Sequence, residues 1–211
     1  MSSPGTRLPS FSAAAKRLAE VGRRFYARGW MLGTSGNLSA VISRTPLRLA
    51  ITESSVAKGD LTPKQILQVN DAGAAVRRGS GRPSAETLLH CVIARERGAG
   101  AVLHTHSVWS TILSDIHAGE RGLTISGFEM EKGFAGVRSH EHREIVPILE
   151  NDQDMTRLAA RVSDVLREHP DAHAFLLRRH GLYTWGDTLA DAERHVEIAE
   201  FLFEVIGRQA S

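Results

Sequence analysis

The sequence predicts an α/β protein in which helices and short hairpins interleave around one sheet. Apolar residues recur at helical spacing in several segments, and short apolar runs bounded by turn residues indicate strands between them. Short connections between strands imply antiparallel pairing. With 211 residues, 42% hydrophobic and 24% charged, the chain is long enough for one domain with a substantial core. We expect residues 1–10 to form a flexible arm and residues 11–211 to form a single domain.

The first part of the chain is predicted to hold one helix and two pairs of strands. Residues 11–28 place Leu18, Val21 and Phe25 at helical spacing, and Gly29 ends the helix. A turn-rich stretch at 33–39 leads into a strand at 40–43, and its partner is expected at 48–52 because both runs are apolar. Residues 66–70 and 74–77 flank Asp71-Ala72-Gly73, which is typical of a hairpin.

The middle of the chain is predicted to form a helix, a strand and a second helix. Pro83-Ser84 opens the first helix, whose apolar positions follow the i, i+3, i+4 rule until Gly98 or Gly100. The strand that bears His104 and His106 follows directly. Helical spacing resumes over residues 107–115, and residues 119–143 are expected to be rich in loops.

The last part is predicted to alternate strands and helices. An apolar run indicates a strand at 145–149, and a helix begins at Asp154 or Thr156 and stops before Pro170. Residues 174–177 form a strand that 182–185 continues after Gly181. Thr188 followed by an aspartate three residues later is a helix-start signal, which places the final helix at 189–206.

Composition excludes several classes of function. The formal net charge of +2 is small and the arginines are scattered, so nucleic-acid binding is not indicated. No apolar stretch approaches the roughly 20 residues of a membrane-spanning helix. Cys91 is the single cysteine, which rules out an internal disulfide and fits a reducing cytoplasm. We therefore expect a cytoplasmic protein with no membrane partner.

Three histidines indicate a metal site. His104 and His106 follow the apolar run Ala101-Val102-Leu103, and side chains at positions i and i+2 of a strand share a face. His180-Gly181 follows another apolar run. Three imidazoles with an open fourth position are typical of catalytic zinc, and a cage of thiolates is excluded by the single cysteine. His140 and His142 have the same spacing but no apolar strand before them, which favours a solvated loop.

Turn-rich clusters could hold a phosphate group. Gly, Ser and Thr concentrate at residues 33–39, at 52–55 and at Pro83-Ser84. Backbone N–H groups in such turns, together with hydroxyls and a helix N-terminus, bind phosphate dianions, and Lys58 could add a positive charge. Each cluster by itself is also explained as a plain turn or helix cap. Their occurrence ahead of the histidine strand favours a phosphorylated small substrate.

Two carboxylates are candidates for proton transfer. Glu86 lies in the first turn of the predicted helix, and Glu129 lies in the loop bounded by Gly127 and Gly133. A glutamate at a helix start can serve only the helix dipole, and a loop glutamate can simply be solvated. Beside a divalent ion either could act as general acid or base, and spacing alone does not choose between them.

Short motifs along the chain occur in the order seen in the class II aldolase/adducin family, which the sequence resembles over about residues 10–205. They are Ser35-Gly36-Asn37-Leu38-Ser39, Ile51-Thr52, Lys58-Gly59-Asp60-Leu61, Pro83-Ser84-Ala85-Glu86, His104-Thr105-His106-Ser107 and His180-Gly181. Within that family, the segment Gly127-Phe128-Glu129-Met130-Glu131-Lys132-Gly133 is similar to that of the methylthioribulose-1-phosphate dehydratases of methionine salvage.

The resemblance implies a three-layer α/β/α sandwich around a largely antiparallel, mixed sheet. It also implies one Zn²⁺ per subunit, held by His104, His106 and His180. In the aldolases of the family the Ser-x-Glu glutamate is the acid/base, which here is Glu86, whereas the dehydratase pattern points to Glu129. We rank Glu129 first and keep Glu86 as a residue beside the metal.

The resemblance further implies where the substrate binds and how the chain assembles. The positions that fall where the family holds the substrate phosphate are Gly36, Asn37, Ser54, Ser55 and Ser84. Ser54-Ser55 replaces a Thr-Gly pair of the aldolases, and Ala85 replaces a hydroxyl residue. The implied reaction is dehydration of a small sugar phosphate by a homotetramer. The alternatives are a sugar-phosphate aldolase of the fuculose or rhamnulose type and a metal-free adducin-like interaction module.

Overall fold

Five helices and eight strands make up the fold in a computed structural model, which describes residues 7–76, 81–120 and 122–209. The helices are α1 (Phe11–Ala27), α2 (Thr87–Glu96), α3 (Val108–Ile116), α4 (Met155–Glu168) and α5 (Leu189–Gln209). The strands are β1 (Asn37–Arg44), β2 (Leu47–Thr52), β3 (Ile66–Asn70), β4 (Ala101–Thr105), β5 (Gly122–Ser126), β6 (Arg143–Leu149), β7 (Ala174–Leu177) and β8 (Gly181–Gly186).

The eight strands form one mixed sheet in the order β3-β2-β1-β4-β8-β7-β6-β5. Within the described residues, β6 and β7 pair in parallel and every other neighbouring pair is antiparallel. The prediction of a largely antiparallel, mixed sheet is confirmed. β4 lies in the centre of the order, between β1 and β8, so the histidine strand is supported on both edges.

Helices cover both faces of the sheet and produce the predicted three layers. Side chains alternate along each strand, so neighbouring residues of β4 face opposite layers. Val102 packs in a core cluster with residues of α2 and α4, whereas Ala101 and Leu103 pack in a cluster with α1. α3 and α5 contribute to a third cluster with β5, β7 and β8.

Local capping residues explain several helix starts. The Ser10 hydroxyl accepts from the Ala13 amide at 3.2 Å, and the Asp154 carboxylate accepts from two amides of α4. At α5, Thr188 and Asp191 exchange hydrogen bonds, as the sequence predicts. Residues 1–6 of the predicted arm lie outside the described part, and Leu8 packs against a core cluster.

The helix predicted to open at Pro83-Ser84 begins three residues later, at Thr87. Ala85 is exposed, and Glu86 occupies the N-cap position instead of the first turn. The turn that precedes α2 therefore aims Glu86 away from the helix body, which matters for the site described below.

Three strand predictions were wrong. β5 lies inside the stretch predicted to be rich in loops, because Leu123 and Ile125 face the core while their neighbours are polar or exposed. β8 does not continue β7: the chain reverses at Arg179, which has a φ of 54°, and β8 pairs antiparallel with β7. The predicted strand at 74–77 is reduced to a bridge between Val69 and Ala75, and residue 77 lies outside the described residues.

None of the described helices combines the length and the apolar composition that crossing a membrane requires.

Candidate active site

The three predicted histidines come together at one end of the central strands. His104 is the fourth residue of β4 and is fully buried, and His106 follows the end of the strand. His180 lies in the turn between β7 and β8, where the reversal at Arg179 returns the chain to β4. β4 and β8 are hydrogen-bonded neighbours, with Thr105 opposite Leu182, so the turn ends beside the histidine pair.

The ring nitrogens of the three histidines converge on one point. His106 Nε2 lies 2.8 Å from His104 Nε2 and 3.1 Å from His180 Nε2. Glu86 adds a carboxylate oxygen, Oε1, at 3.1 Å from His180 Nε2 and 3.6 Å from His104 Nε2. These four groups offer ligand atoms that all lie within 4.8 Å of one another.

The hydrogen bonds around the cluster orient lone pairs toward its centre. His104 Nδ1 donates to the carbonyl of Leu182 at 2.8 Å, so its Nε2 carries a lone pair that faces the other rings. A histidine whose outer nitrogen donates to a carbonyl is a common arrangement around bound metal. The buried Nδ1 of His180 has no hydrogen-bond partner among the described residues. Several lone pairs that face one another repel unless a cation or protons lie between them, so the donor set fits a divalent metal ion.

Burial keeps the His106 imidazole neutral. The pKa of His106 is lowered to about 3, first by burial and then by the neighbouring rings of His104 and His180. At neutral pH this side chain is therefore unprotonated, which is the form that binds metal. Burial alone would raise the pKa of Glu86, but His104 and His180 outweigh it and hold the pKa well below its ordinary value. Glu86 is thus a carboxylate.

A buried chain of hydrogen bonds anchors Glu86. Asn37 Nδ2 donates to Glu86 Oε2 at 2.6 Å, and the Asn37 carbonyl is hydrogen-bonded to His90 Nε2. His90 Nδ1 lies 2.8 Å from the hydroxyl of Ser39. The pKa of His90 is lowered to about 3, mainly by burial, so the ring is neutral and donates from one nitrogen only. The chain links α2 to β1 and holds the carboxylate in one orientation.

The residues predicted to bind phosphate line one small pocket beside the histidines. The pocket has a volume of about 110 Å³, and His106 and Glu86 form part of its wall. The predicted residues that line it are Gly36, Asn37, Ser54, Ser55, Lys58 and Ser84. These residues therefore share one cavity, although they come from four separate stretches of the chain.

The pocket contains a buried cation and two unusual backbone conformations. The Lys58 ammonium donates to the carbonyls of Thr34 at 3.1 Å and Val56 at 2.8 Å. Burial lowers the pKa of Lys58 to about 8, and Glu86 opposes part of that change. Ser55 has a φ of 62° and Gly36 a φ of 71°. Positive φ is rare for serine and is often found where function demands a particular backbone shape.

Glu129 lies outside the histidine cluster in this chain. It begins a 3-10 turn after β5, and its side chain is 72% exposed. Its carboxylate pairs with Lys132 at 2.5 Å, and Lys132 is the main reason that its pKa is lowered. Among the described residues, the carboxylate brought beside the three histidines is Glu86.

Two residues of the site were not singled out from the sequence. His90 is absent from the residues that the sequence indicates, yet it lies four residues after Glu86 and both bond to Asn37. The i, i+4 spacing was the available signal. Tyr183 stacks on His104 with ring centroids 3.9 Å apart and is fully buried. Its place opposite His104 depends on the register of β4 and β8, which the sequence does not reveal.

Comparisons with known proteins agree with this geometry. Over residues 16–206 the chain matches the family model described as "Class II Aldolase and Adducin N-terminal domain". A methylthioribulose-1-phosphate dehydratase of Marinobacter nauticus is 45% identical over 92% of this chain and 92% of its own length. One from Pseudomonas savastanoi pv. phaseolicola is 46% identical over 89% of this chain and 90% of its own length.

A similar solved structure is the L-fuculose-1-phosphate aldolase of Thermus thermophilus. It is 25% identical, has a TM-score of 0.71 and covers 95% of each chain. The family match spans most of the sequence, and the two relatives are 45% and 46% identical to this chain over 92% and 89% of its length. The chain belongs to the class II aldolase and adducin N-terminal domain family.

Proposed function

We propose that the protein is a zinc-dependent methylthioribulose-1-phosphate dehydratase, a hydro-lyase of methionine salvage. It converts 5-methylthioribulose 1-phosphate to 2,3-diketo-5-methylthiopentyl 1-phosphate. The observation that carries the proposal is the convergence of three imidazole nitrogens beside a polar pocket with a buried lysine. The two dehydratases that are 45% and 46% identical support the choice of substrate.

His104, His106 and His180 would hold one zinc ion per subunit. When bound, a divalent cation acts as a Lewis acid on the substrate's carbonyl oxygen. Zinc suits a set of three neutral imidazoles with an open position, although iron and manganese also accept such ligands. Glu86 stays ionised beside this position and is held there by Asn37.

The pocket would bind the phosphate group and so orient the sugar toward the histidines. The Lys58 ammonium lies in the pocket wall with two of its three N–H groups bonded to carbonyls, which leaves one donor for a phosphate oxygen. The other groups proposed to hold the phosphate are Gly36, Asn37, Ser54, Ser55 and Ser84. A helix N-terminus adds favourable electrostatics, since α2 begins directly after this pocket.

Glu129 is proposed as the acid/base. It takes the proton from C3 of the substrate and delivers a proton to the departing C4 hydroxyl, so that water leaves and an enol remains between C3 and C4. The enol gains a proton at C4 and loses the proton of its C3 hydroxyl, which gives the diketone. Since Glu129 is exposed and outside the histidine cluster of its own chain, we propose that it reaches the histidines of a neighbouring subunit in a homotetramer. This arrangement would place each active site at a subunit boundary.

An apolar stripe beside the site supports self-association. Val108, Ile112 and Ile116 are spaced four residues apart on α3 and are 65%, 40% and 60% exposed. α3 starts directly after His106, so the stripe adjoins the metal ligands. Large apolar side chains in a row on one helix face are typical of protein interfaces.

Incubation with 5-methylthioribulose 1-phosphate and identification of the product tests the activity. We expect a diketone that absorbs in the ultraviolet. The variant Glu129→Gln should retain its metal while dehydration falls about 10²-fold or more, the usual scale for general acid–base catalysis. Glu141→Gln is the matched control, because this exposed glutamate lies outside the histidine cluster. Near-normal turnover by Glu129→Gln would refute the role of that residue.

Subunit mixing tests the assignment of Glu129 to the neighbouring site. Glu129→Gln and His106→Ala chains would each be inactive alone. If they are unfolded and refolded together in equal amounts, about a quarter of the sites of a cyclic tetramer should combine intact histidines with an intact glutamate. Recovery of activity at about that level supports the arrangement. No recovery, with mixed tetramers present by mass, means that Glu129 does not serve a neighbour.

A second candidate is a class II sugar-phosphate aldolase, which the position of Glu86 favours. This glutamate belongs to the Ser-x-Glu pattern of the aldolases and lies within 3.1 Å of His180 Nε2. Release of dihydroxyacetone phosphate from ketose 1-phosphates would identify this activity. A metal-free adducin-like module is disfavoured by the inward lone pairs of the cluster, and absence of stoichiometric metal in the purified protein would revive it.

We propose that residues 11–211 form one catalytic domain that works in the cytoplasm. Buried Cys91 has a pKa raised to about 11, mainly by burial, so the thiol is unreactive.

A further inference from the structure

The backbone that follows Glu129 is held at one residue, Ala135, by two histidines. His173 Nε2 donates to the carbonyl of Ala135 at 2.8 Å. The amide of Ala135 donates in turn to His195 Nε2 at 3.1 Å. His173 precedes β7 and His195 lies on α5, so two separate elements hold the two polar groups of one residue.

These two bonds require a proton on Nε2 of His173 and a lone pair on Nε2 of His195. His195 Nδ1 lies 2.7 Å from the carbonyl of Trp185 and must donate to it, which leaves Nε2 as an acceptor on a neutral ring. His173 Nδ1 lies 3.0 Å from the carboxylate of Glu144, a side chain that is 1% exposed. With a carbonyl at one nitrogen and a carboxylate at the other, His173 donates from both and is an imidazolium.

The electrostatic surroundings agree with these two states. Burial lowers the pKa of His195 to about 4, and nearby His173 contributes to the decrease. Burial also acts to lower the pKa of His173, but the hydrogen bond and charge of Glu144 outweigh it and raise the pKa. His142 completes the group by donating to Glu144 at 2.9 Å. In this arrangement His173 has no lone pair for a metal ion, so the cluster is an ion pair.

Further contacts fix the same segment on both sides of Glu129. Arg194 Nε donates to the carbonyl of Gly133 at 2.8 Å, and Phe134 is buried and stacked on His173 with ring centroids 5.0 Å apart. On the other side, the Glu131 carboxylate accepts from the amide of Phe128 at 2.9 Å. The carboxylate of Glu129 therefore projects to solvent from a backbone that is held firmly.

We infer that His173 and His195 are positioning residues that set the place of Glu129 by holding the backbone N–H and C=O of Ala135. The inference rests on the proposed function, because holding this backbone matters for catalysis only if Glu129 is the acid/base. Reacting groups must be held closely, and a misplacement of about 1 Å can lower a rate about 10²-fold. Neither histidine touches the substrate in this scheme.

A double-mutant cycle separates positioning from general stability. His195→Leu removes the acceptor for the Ala135 amide while keeping an apolar side chain in a buried place. In the Glu129 background we expect kcat to fall about 10- to 100-fold, with KM and metal content nearly unchanged. In the Glu129→Gln background the same substitution should change kcat by less than about 2-fold, because the group it positions is already gone.

His195→Gln and Arg194→Met give the cycle further variants. The glutamine can still accept from the Ala135 amide and should keep most of the wild-type kcat. Arg194 is 46% exposed, so its replacement should fold even if His195→Leu does not, and its effect should again vanish in the Glu129→Gln background. Arg208→Met is the matched control, since Arg208 pairs with Glu204 on the same helix.

The outcomes distinguish failure of the inference from failure of the proposed function. Equal losses of kcat in both backgrounds would overturn the inference, as would a folded His195→Gln variant as impaired as His195→Leu. Full activity of Glu129→Gln by itself would instead reject the proposed role of Glu129. Losses confined to the Glu129 background would establish the positioning role.

Discussion

Replacement of Gly36 by alanine tests whether the backbone of the pocket is in rigid contact with β4, the strand that bears His104. Gly36 has a φ of 71°, and an added Cβ would lie 2.7 Å from the carbonyl oxygen of His104 and 2.5 Å from Met31 Cε. The methionine end can move aside. The carbonyl belongs to a central strand that is hydrogen-bonded on both edges, so it yields only if the peptide of His104, a proposed metal ligand, shifts.

The expected magnitude has two parts. Left-handed backbone costs alanine about 1–2 kcal/mol relative to glycine. Crowding in a well-packed region costs a further ~1–3 kcal/mol. The free energy of unfolding should therefore fall by about 2–5 kcal/mol, out of the ~5–15 kcal/mol that is usual for a domain. For a chain of this size the melting temperature should fall by about 4–20 °C.

Gly33→Ala is the matched control, because Gly33 has a φ of 61° and nothing within 4 Å of its added Cβ. It should show the backbone cost alone, about 1–2 kcal/mol. Denaturant unfolding followed by circular dichroism at a fixed metal concentration measures both variants, and metal analysis shows whether the His104 peptide has moved. If Gly36→Ala is no less stable than Gly33→Ala and keeps its full metal content, the contact is not rigid and the reasoning is wrong.

Three further predictions concern the metal, a buried acid and the phosphate pocket. His180→Ala should lower metal affinity by more than the 10- to 100-fold that loss of an outer-shell partner costs, measured by titration against a chelator. Glu200 is buried on α5 and its pKa is raised to about 7, chiefly by burial, so the folded state holds its proton while the unfolded state releases it above 4.5. The free energy of unfolding therefore decreases as pH rises from 4.5 to 7. Glu200→Gln should regain on the order of 3 kcal/mol at pH 8 but nothing near pH 4. Equal gains at both pH values would contradict this direction of the pH dependence. Lys58→Met should raise KM about 10- to 100-fold while kcat changes little, whereas the control Lys64→Met at an exposed lysine should leave both unchanged; a loss confined to kcat would argue against phosphate binding.

Local patterns were sufficient to predict most elements of this fold. The apolar spacing of residues 11–28, the Thr188 and Asp191 start signal and the short apolar strands all depend on neighbours within a few residues. The same is true of the histidine pair His104 and His106, whose shared face follows from strand geometry. Such features are settled by backbone periodicity and hydrogen bonds that close within one turn.

Pairing between strands decides the features that local patterns did not predict, namely β5 and the separation of β7 from β8. β5 has only five residues, and its identity as a strand depends on its pairing with β6, the next strand along the chain. The reversal at Arg179 that separates β7 from β8 is also invisible locally, because arginine has no special preference for positive φ. Both features depend on how consecutive strands pair, which the residue types of one segment do not show.

By itself the sequence determined the chemical types that this protein can present: imidazoles suited to a divalent metal, a lysine with small hydroxyl residues suited to an anion, and two carboxylates suited to proton transfer. The tertiary structure alone decided which of them meet. It brought Glu86 to the histidines by starting α2 at Thr87, and it left Glu129 exposed on a segment held by His173 and His195. The physical reason is that residue type sets what a side chain can bind, whereas the order and register of eight strands set which side chains share a space.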